Sequence, residues 1–189
     1  MKVTREQATE NRERVLGVAA QLFRERGFDG VGLADIMKTA GLTHGGFYGQ
    51  FSSKDDLLAQ ASTRAFEGGT AWWNQMAADA PDQPLQAISA AYLSTAHRDQ
   101  PGQGCWVAAL GSEVARQSAP VRRAVTEGIQ AMAGMLAQWM PGRSKAAQRE
   151  KALATYAAMV GALVMARAVD DAALSEEILQ AVARTTSKI

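Results

Sequence analysis

The chain has 189 residues, 47% of them hydrophobic and 21% charged, the proportions of a folded domain with a real core rather than of a disordered segment. Lys and Arg number 20 against 19 Asp and Glu, a net charge of +1 with His neutral, so the chain is no basic nucleic-acid coat and any basic surface has to be local. One cysteine excludes an internal disulfide and suits a reducing compartment. No apolar run nears the roughly 20 residues of a membrane helix, and the polar start Met1–Gln7 lacks a signal-peptide core. Cytoplasm, without a membrane partner, is the expected location.

The pattern predicts an all-α chain: alanine is abundant, prolines number 5, and no stretch alternates apolar with polar residues. A first helix is expected over about 4–26, with Val15, Leu16, Ala19, Leu22 and Phe23 on its inner face, Arg12, Arg14, Arg24 and Glu25 on the rest, and Gly27 as its left-handed stop. A short second helix follows over about 33–40, closed by Gly41. A third is expected over about 44–50, capped by Thr43, with Phe47 and Phe51 facing inward. Ser53 caps a fourth, with Asp55 and Asp56 in its first turn where the dipole favours acids. Pro81 and Pro84 mark a break. A fifth helix spans about 85–98, a sixth 105–117, a seventh opens at Pro120 and ends near Met140, an eighth spans 145–169 and a ninth 174–185. Residues 100–104, QPGQG, read as a loop.

The informative segment is 33–54. Two short helices separated by Gly41, Leu42 and Thr43 make a helix-turn-helix, in which glycine permits the turn, Leu42 plugs the angle and Thr43 caps the second helix. A helix there has the width to enter a DNA major groove, and its N-terminus can meet a phosphate. The run Ala40–Leu57, AGLTHGGFYGQFSSKDDL, resembles the signature of the TetR/AcrR family of transcriptional repressors, and Arg14–Phe28, RVLGVAAQLFRERGF, resembles that family's first helix. The resemblance covers roughly the first 60 residues. It implies an all-helical fold of about nine helices: a three-helix DNA-binding domain over 1–53, then a larger effector-binding and dimerisation domain over 54–189. It also implies a homodimer, double-stranded operator DNA as partner, a small-molecule effector and no cofactor.

Carried over by position, Thr43 and Tyr48 match residues whose hydroxyls face phosphates, Lys54 matches a backbone-contacting lysine, and His44 sits at a variable position that reads bases or backbone. Phe47 matches a buried position. Three residues depart from the family pattern: Gly46 stands where Thr is frequent, Gln50 replaces a frequent His, and Gly32 replaces a capping Ser or Thr. Gly45, Gly46 and Gly49 each cost about 1 kcal/mol relative to Ala inside a helix. Gly45 and Gly46 either admit a close approach to phosphates or are tolerated by packing. Lys38 and Arg5 are either phosphate contacts or part of a solvated face.

Downstream, Trp72, Trp73, Met76, Tyr92, Trp106, Met132, Met135 and Trp139 load the middle helices with large side chains that make either a plain core or a ligand cavity. Trp73, Tyr92, Trp106 and Trp139 are the expected lining residues, for a mostly apolar or aromatic effector. Glu113 either orients a polar group of the ligand or is a solvated carboxylate beside Arg116. Cys105, after the glycine loop, is either a redox or electrophile sensor or a small buried residue. One Cys and two His make no metal site. Ala154, Ala158, Gly161, Ala162 and Met165 on the eighth helix give the small-residue spacing of a close-packed dimer face, with the ninth helix completing a four-helix interface.

These residues point to a ligand-responsive, sequence-specific DNA-binding repressor released from its operator by the effector, with redox sensing through Cys105 as the alternative trigger. An enzyme is disfavoured, since no nucleophile–base pair, metal cluster or phosphate loop is spaced for chemistry. A helical interaction protein without DNA binding is the remaining rival, and Tyr48 and Lys54 discriminate it.

Overall fold

The computed structural model describes residues 4–186. It is all-helical, and no strand occurs among the described residues. The helices are α1 (Arg5–Arg26), α2 (Leu33–Thr39), α3 (Lys54–Asp79), α4 (Pro84–Tyr92), α5 (Thr95–Asp99), α6 (Trp106–Val114), α7 (Ala119–Ala137), α8 (Lys145–Ala168) and α9 (Ala172–Thr186). Two single 3-10 turns lie between them, His44–Gly46 and Pro101–Gln103.

Local chemistry fixes most ends. Thr4 and Gln7 form a reciprocal capping box at the start of α1, and Ser53 and Ser144 cap α3 and α8 through their hydroxyls. Gly27 and Gly41 take φ values of 75° and 70°, which L side chains rarely adopt, and each turns the chain after a helix. At the second, the Leu42 N–H donates to the Met37 carbonyl over 2.9 Å, the six-to-one bond of a Schellman end.

Two expected helices differ. The fifth is broken into α4 and α5 because Ser94 competes for the backbone. Its hydroxyl donates to the Ala91 carbonyl and accepts from the His97 N–H, capping a new helix. The third, expected over about 44–50, is only the 3-10 turn His44–Gly46 followed by irregular turns, and the Thr43 side chain makes no cap bond there. Three glycines within six residues remove the propensity that a full α-helix would need.

The long helix α3 is the spine. Its early part meets α1, where Arg64 pairs with Glu13 at 3.3 Å and Arg12 donates to the Gln60 side chain. Further along it crosses α7 so closely that a Cβ on Gly128 would lie 2.2 Å from the Phe66 ring. α8 packs on α7, α6 and α9, and one continuous apolar core runs from Val15 to Leu179. By length and hydropathy alone α8 could cross a membrane. Its Tyr156, Met159 and Leu163 are instead buried in the protein core.

Candidate functional site

Thr43, His44 and Gly45 are exposed in the turn after α2, and Gly46 is half-buried. Tyr48 is 67% exposed, held edge-on between Phe47 at 5.2 Å and His44 at 6.1 Å. Phe47 is fully buried and stacks on Phe51 at 5.5 Å, so the apolar side of the turn anchors it and the polar side is offered outward. Arg12, expected off the inner face of the first helix, donates to the Gln50 carbonyl and lies 4.7 Å from the Phe51 ring centre, locking the turn to α1. Lys38 is exposed on α2. Lys54 is half-buried, and its ammonium donates to the Phe28 carbonyl at 2.8 Å, so this lysine ties down the α1–α2 corner in the free protein.

That corner is a junction. The Phe28 N–H donates to the Glu113 carboxylate at 2.9 Å, across 85 residues of sequence. The Phe28 ring lies 5.7 Å from Phe23 and 6.0 Å from Trp106. Glu113 is therefore no ligand-orienting group: it sits at the far end of α6 and caps the corner backbone. Positive φ at Gly27 lets the corner turn under that carboxylate, which a Cβ there would meet at 2.9 Å.

Above the corner is a cavity of about 620 Å³, within the range of small-molecule sites. Trp73, Tyr92 and Trp106 line it, joined by Arg24, His97, Cys105 and Tyr156. Trp73 is packed edge-on to Tyr92 at 6.2 Å and to Tyr156 at 5.6 Å. Trp139 lies outside the cavity because α7 ends at Ala137, leaving this tryptophan in the following loop. The Cys105 sulfur lies 3.8 Å from the Tyr156 hydroxyl.

The His97 Nε2 accepts from the Cys105 N–H at 3.0 Å, and its Nδ1 pairs with the Tyr92 carbonyl at 2.6 Å. An acceptor at Nε2 places the proton of the neutral ring on Nδ1, which then donates to that carbonyl. Burial lowers the His97 pKa below its usual value, and the nearby Arg167 and Arg24 charges push the same way against the Tyr92 carbonyl. Arg24 donates from Nε to the Gly102 carbonyl at 2.8 Å, and Arg167 donates to the His97 and Arg98 carbonyls at 2.8 and 3.0 Å. Burial pulls Arg24 down to about 10 and raises the Tyr92 and Tyr156 phenols above their ordinary range.

The sequence pattern placed Arg24 off the inner face of the first helix and gave its two histidines no metal role. Gly17, Ala20 and Arg24 share one face of α1 and all line the cavity; two small residues leading to a lone arginine were the available signal. Tyr156 lacked one, because the alanines around it read as a helix–helix face. On that face Ala154, Ala158 and Met165 are exposed and Gly161 is half-exposed. Ala162 points the other way, 3% exposed and inside the subunit core.

The family model described as "Bacterial regulatory proteins, tetR family" matches residues 15–61, from α1 through the exposed turn into α3. The whole architecture is similar to the crystal structure of E. coli NemR in its reduced form, with a TM-score of 0.79, 25% identity, and coverage of 95% of this chain and 96% of that one. Over residues 15–61 the chain matches the tetR family of bacterial regulatory proteins, and over nearly its whole length it shares the fold of TetR-family regulators. In sequence it is similar to the HTH-type transcriptional repressor NemR of E. coli K12, 29% identical over 132 residues. That match takes in 68% of this chain and spans 66% of the relative, just under two thirds. It is also similar to the HTH-type transcriptional regulator AcrR of Shigella flexneri, 39% identical over 57 residues, or 30% of this chain and 26% of that one. A TetR-family regulator from Agrobacterium tumefaciens, at 20% identity and a TM-score of 0.78 over 96% of this chain and 97% of that one, shares the fold.

Proposed function

We propose that this chain is a homodimeric TetR/AcrR-family repressor that binds double-stranded operator DNA and is released by a small, mostly apolar or aromatic effector. Residues 1–53 carry DNA binding, and 54–189 carry effector binding and dimerisation. Thr43, His44, Gly45, Gly46 and Tyr48 form the DNA-facing turn, with Lys38 beside it and Lys54 exchanging its corner carbonyl for a phosphate on binding. The similarity to a relative named as a repressor supports the sign of the regulation.

The observation that carries this reading is the shared wall between cavity and corner. Trp106 lines the cavity and packs on Phe28, while Arg24 lines it from α1 itself. A ligand that displaces either side chain acts on α1 and its corner, and Arg12 of α1 holds the DNA-facing turn, the differential contact that allosteric coupling requires.

A gel shift with duplex DNA from upstream of the coding region, over a salt series and a panel of aromatic compounds, tests it. A shift that weakens with salt, weakens about tenfold further in Tyr48→Phe, and is released by a compound that protects the cavity is the expected result. A folded dimer that binds random DNA as well as it binds this duplex would overturn it.

A second trigger rests on Cys105, half-buried in the cavity wall with its sulfur 3.8 Å from the Tyr156 hydroxyl. The related NemR structure is described as a reduced form. In this reading, alkylation of the thiol by iodoacetamide releases the DNA, and Cys105→Ser binds DNA normally but is not released.

A further inference from the structure

Among the described residues, no Asp or Glu lines the cavity. Arg24 projects into it as a cation whose Nε and Nη2 both donate to the one Gly102 carbonyl; its other N–H groups find no acceptor, and no carboxylate lies within ion-pair distance among the described residues. The other lining arginine, Arg64, is already paired with Glu13 at 3.3 Å and about half exposed. His97 adds no charge, because its Nε2 is an acceptor for the Cys105 N–H. Two further donors lack partners among the described residues: the Tyr92 hydroxyl and the Trp106 indole N–H, both on cavity-lining residues only 2% exposed. Native structures seldom leave buried polar atoms unsatisfied without cause, and two such donors in a wall whose Arg24 guanidinium has no carboxylate partner define a site for an acceptor bearing negative charge.

We infer that the cavity takes an aromatic carboxylate, its negative charge on Arg24, its oxygens within reach of Tyr92 and Trp106, and its ring against the Trp73, Tyr92 and Trp106 faces. This sharpens the effector reading above and rests on it for its regulatory meaning. Among the described lining residues Arg24 is the one guanidinium without a carboxylate partner, which suits a single charge on a ring rather than a phosphate. The lowered pKa of Arg24, caused by burial, agrees: an anion beside it offsets the loss of solvent.

The test titrates the full-length protein with 1-naphthoate and its neutral counterpart 1-naphthamide, followed by tryptophan fluorescence and calorimetry. The wild type is expected to bind the acid at least tenfold more tightly than the amide. Arg24→Gln is expected to bind the amide as before and to bring the ratio below twofold, whereas Arg64→Gln keeps it. Arg24→Lys, which retains the charge, keeps part of the preference and serves if the glutamine variant does not fold. Equal or tighter binding of the amide by the wild type, or binding of neither compound, overturns the inference. Operator binding is scored in the same samples. Release by naphthamide without a preference for the acid overturns the anion site and leaves the effector reading standing. Tight, Arg24-dependent binding of naphthoate without release supports the site and removes its regulatory role.

Discussion

His97 makes two hydrogen bonds that only its neutral ring can make together, accepting from Cys105 and donating to Tyr92. Protonation would turn the acceptor into a donor aimed at an N–H. The folded protein therefore holds this pKa below the usual value, first through burial, while the unfolded chain takes up the proton at about pH 6.5. Below that pH the unfolded state binds more protons, so the stability linked to His97 is complete above about pH 6.5 and is lost as pH falls toward the lower folded value. Thermal denaturation from pH 7.5 to 5 should show a steeper fall in Tm for the wild type than for His97→Gln; parallel curves would contradict this account. At this scale the sequence was legible where chemistry is local. Thr4, Ser53, Gly27 and Gly41 sit at the helix ends their side chains or φ values favour. It was not legible for Glu113, whose partner lies 85 residues away, nor for Arg24, whose partner is the Gly102 carbonyl, 78 residues away.

The turn between α2 and α3 and the corner between α1 and α2 show how far element patterns carry. The helix-turn-helix frame follows from the spacing of Ile36, Met37, Phe47 and Phe51, all buried. The length of the second helix did not follow from the motif, because glycines at 45, 46 and 49 outweigh it and leave a single 3-10 turn. The corner is held by Glu113 on one side and Lys54 on the other, both bonded to Phe28. Removing the carboxylate strands a part-buried N–H, a loss of about 2 kcal/mol for a bond to a charged acceptor. Glu113→Ala should show that loss in urea denaturation and should leave ligand affinity near the wild-type value while reducing ligand-driven DNA release. A loss under about 0.5 kcal/mol, the range of ordinary surface changes, would mean that the corner does not depend on this contact.

For the whole molecule, the sequence conveyed helix order, since amphipathic spacing and proline breaks are local. It did not convey which face of α8 is free, because alanine packs well on either side. Ala162 went inward, while Leu153, Val164 and Met165 stay 40%, 43% and 57% exposed. Exposed apolar groups along one helix are the expected surface for a second copy. A homodimer carries two DNA-facing turns related by a twofold axis, so its site has two inverted half-sites about one helical turn, or a multiple of it, apart. The most direct measurement is selection of bound duplexes from a random pool by the wild type and by Met165→Glu, with the mass of each measured in solution. The dimeric wild type is expected to enrich an inverted repeat, and Met165→Glu, folded but monomeric, to enrich none. A folded wild-type dimer that selects no sequence, or a monomeric variant that selects the same repeat with equal affinity, would contradict it.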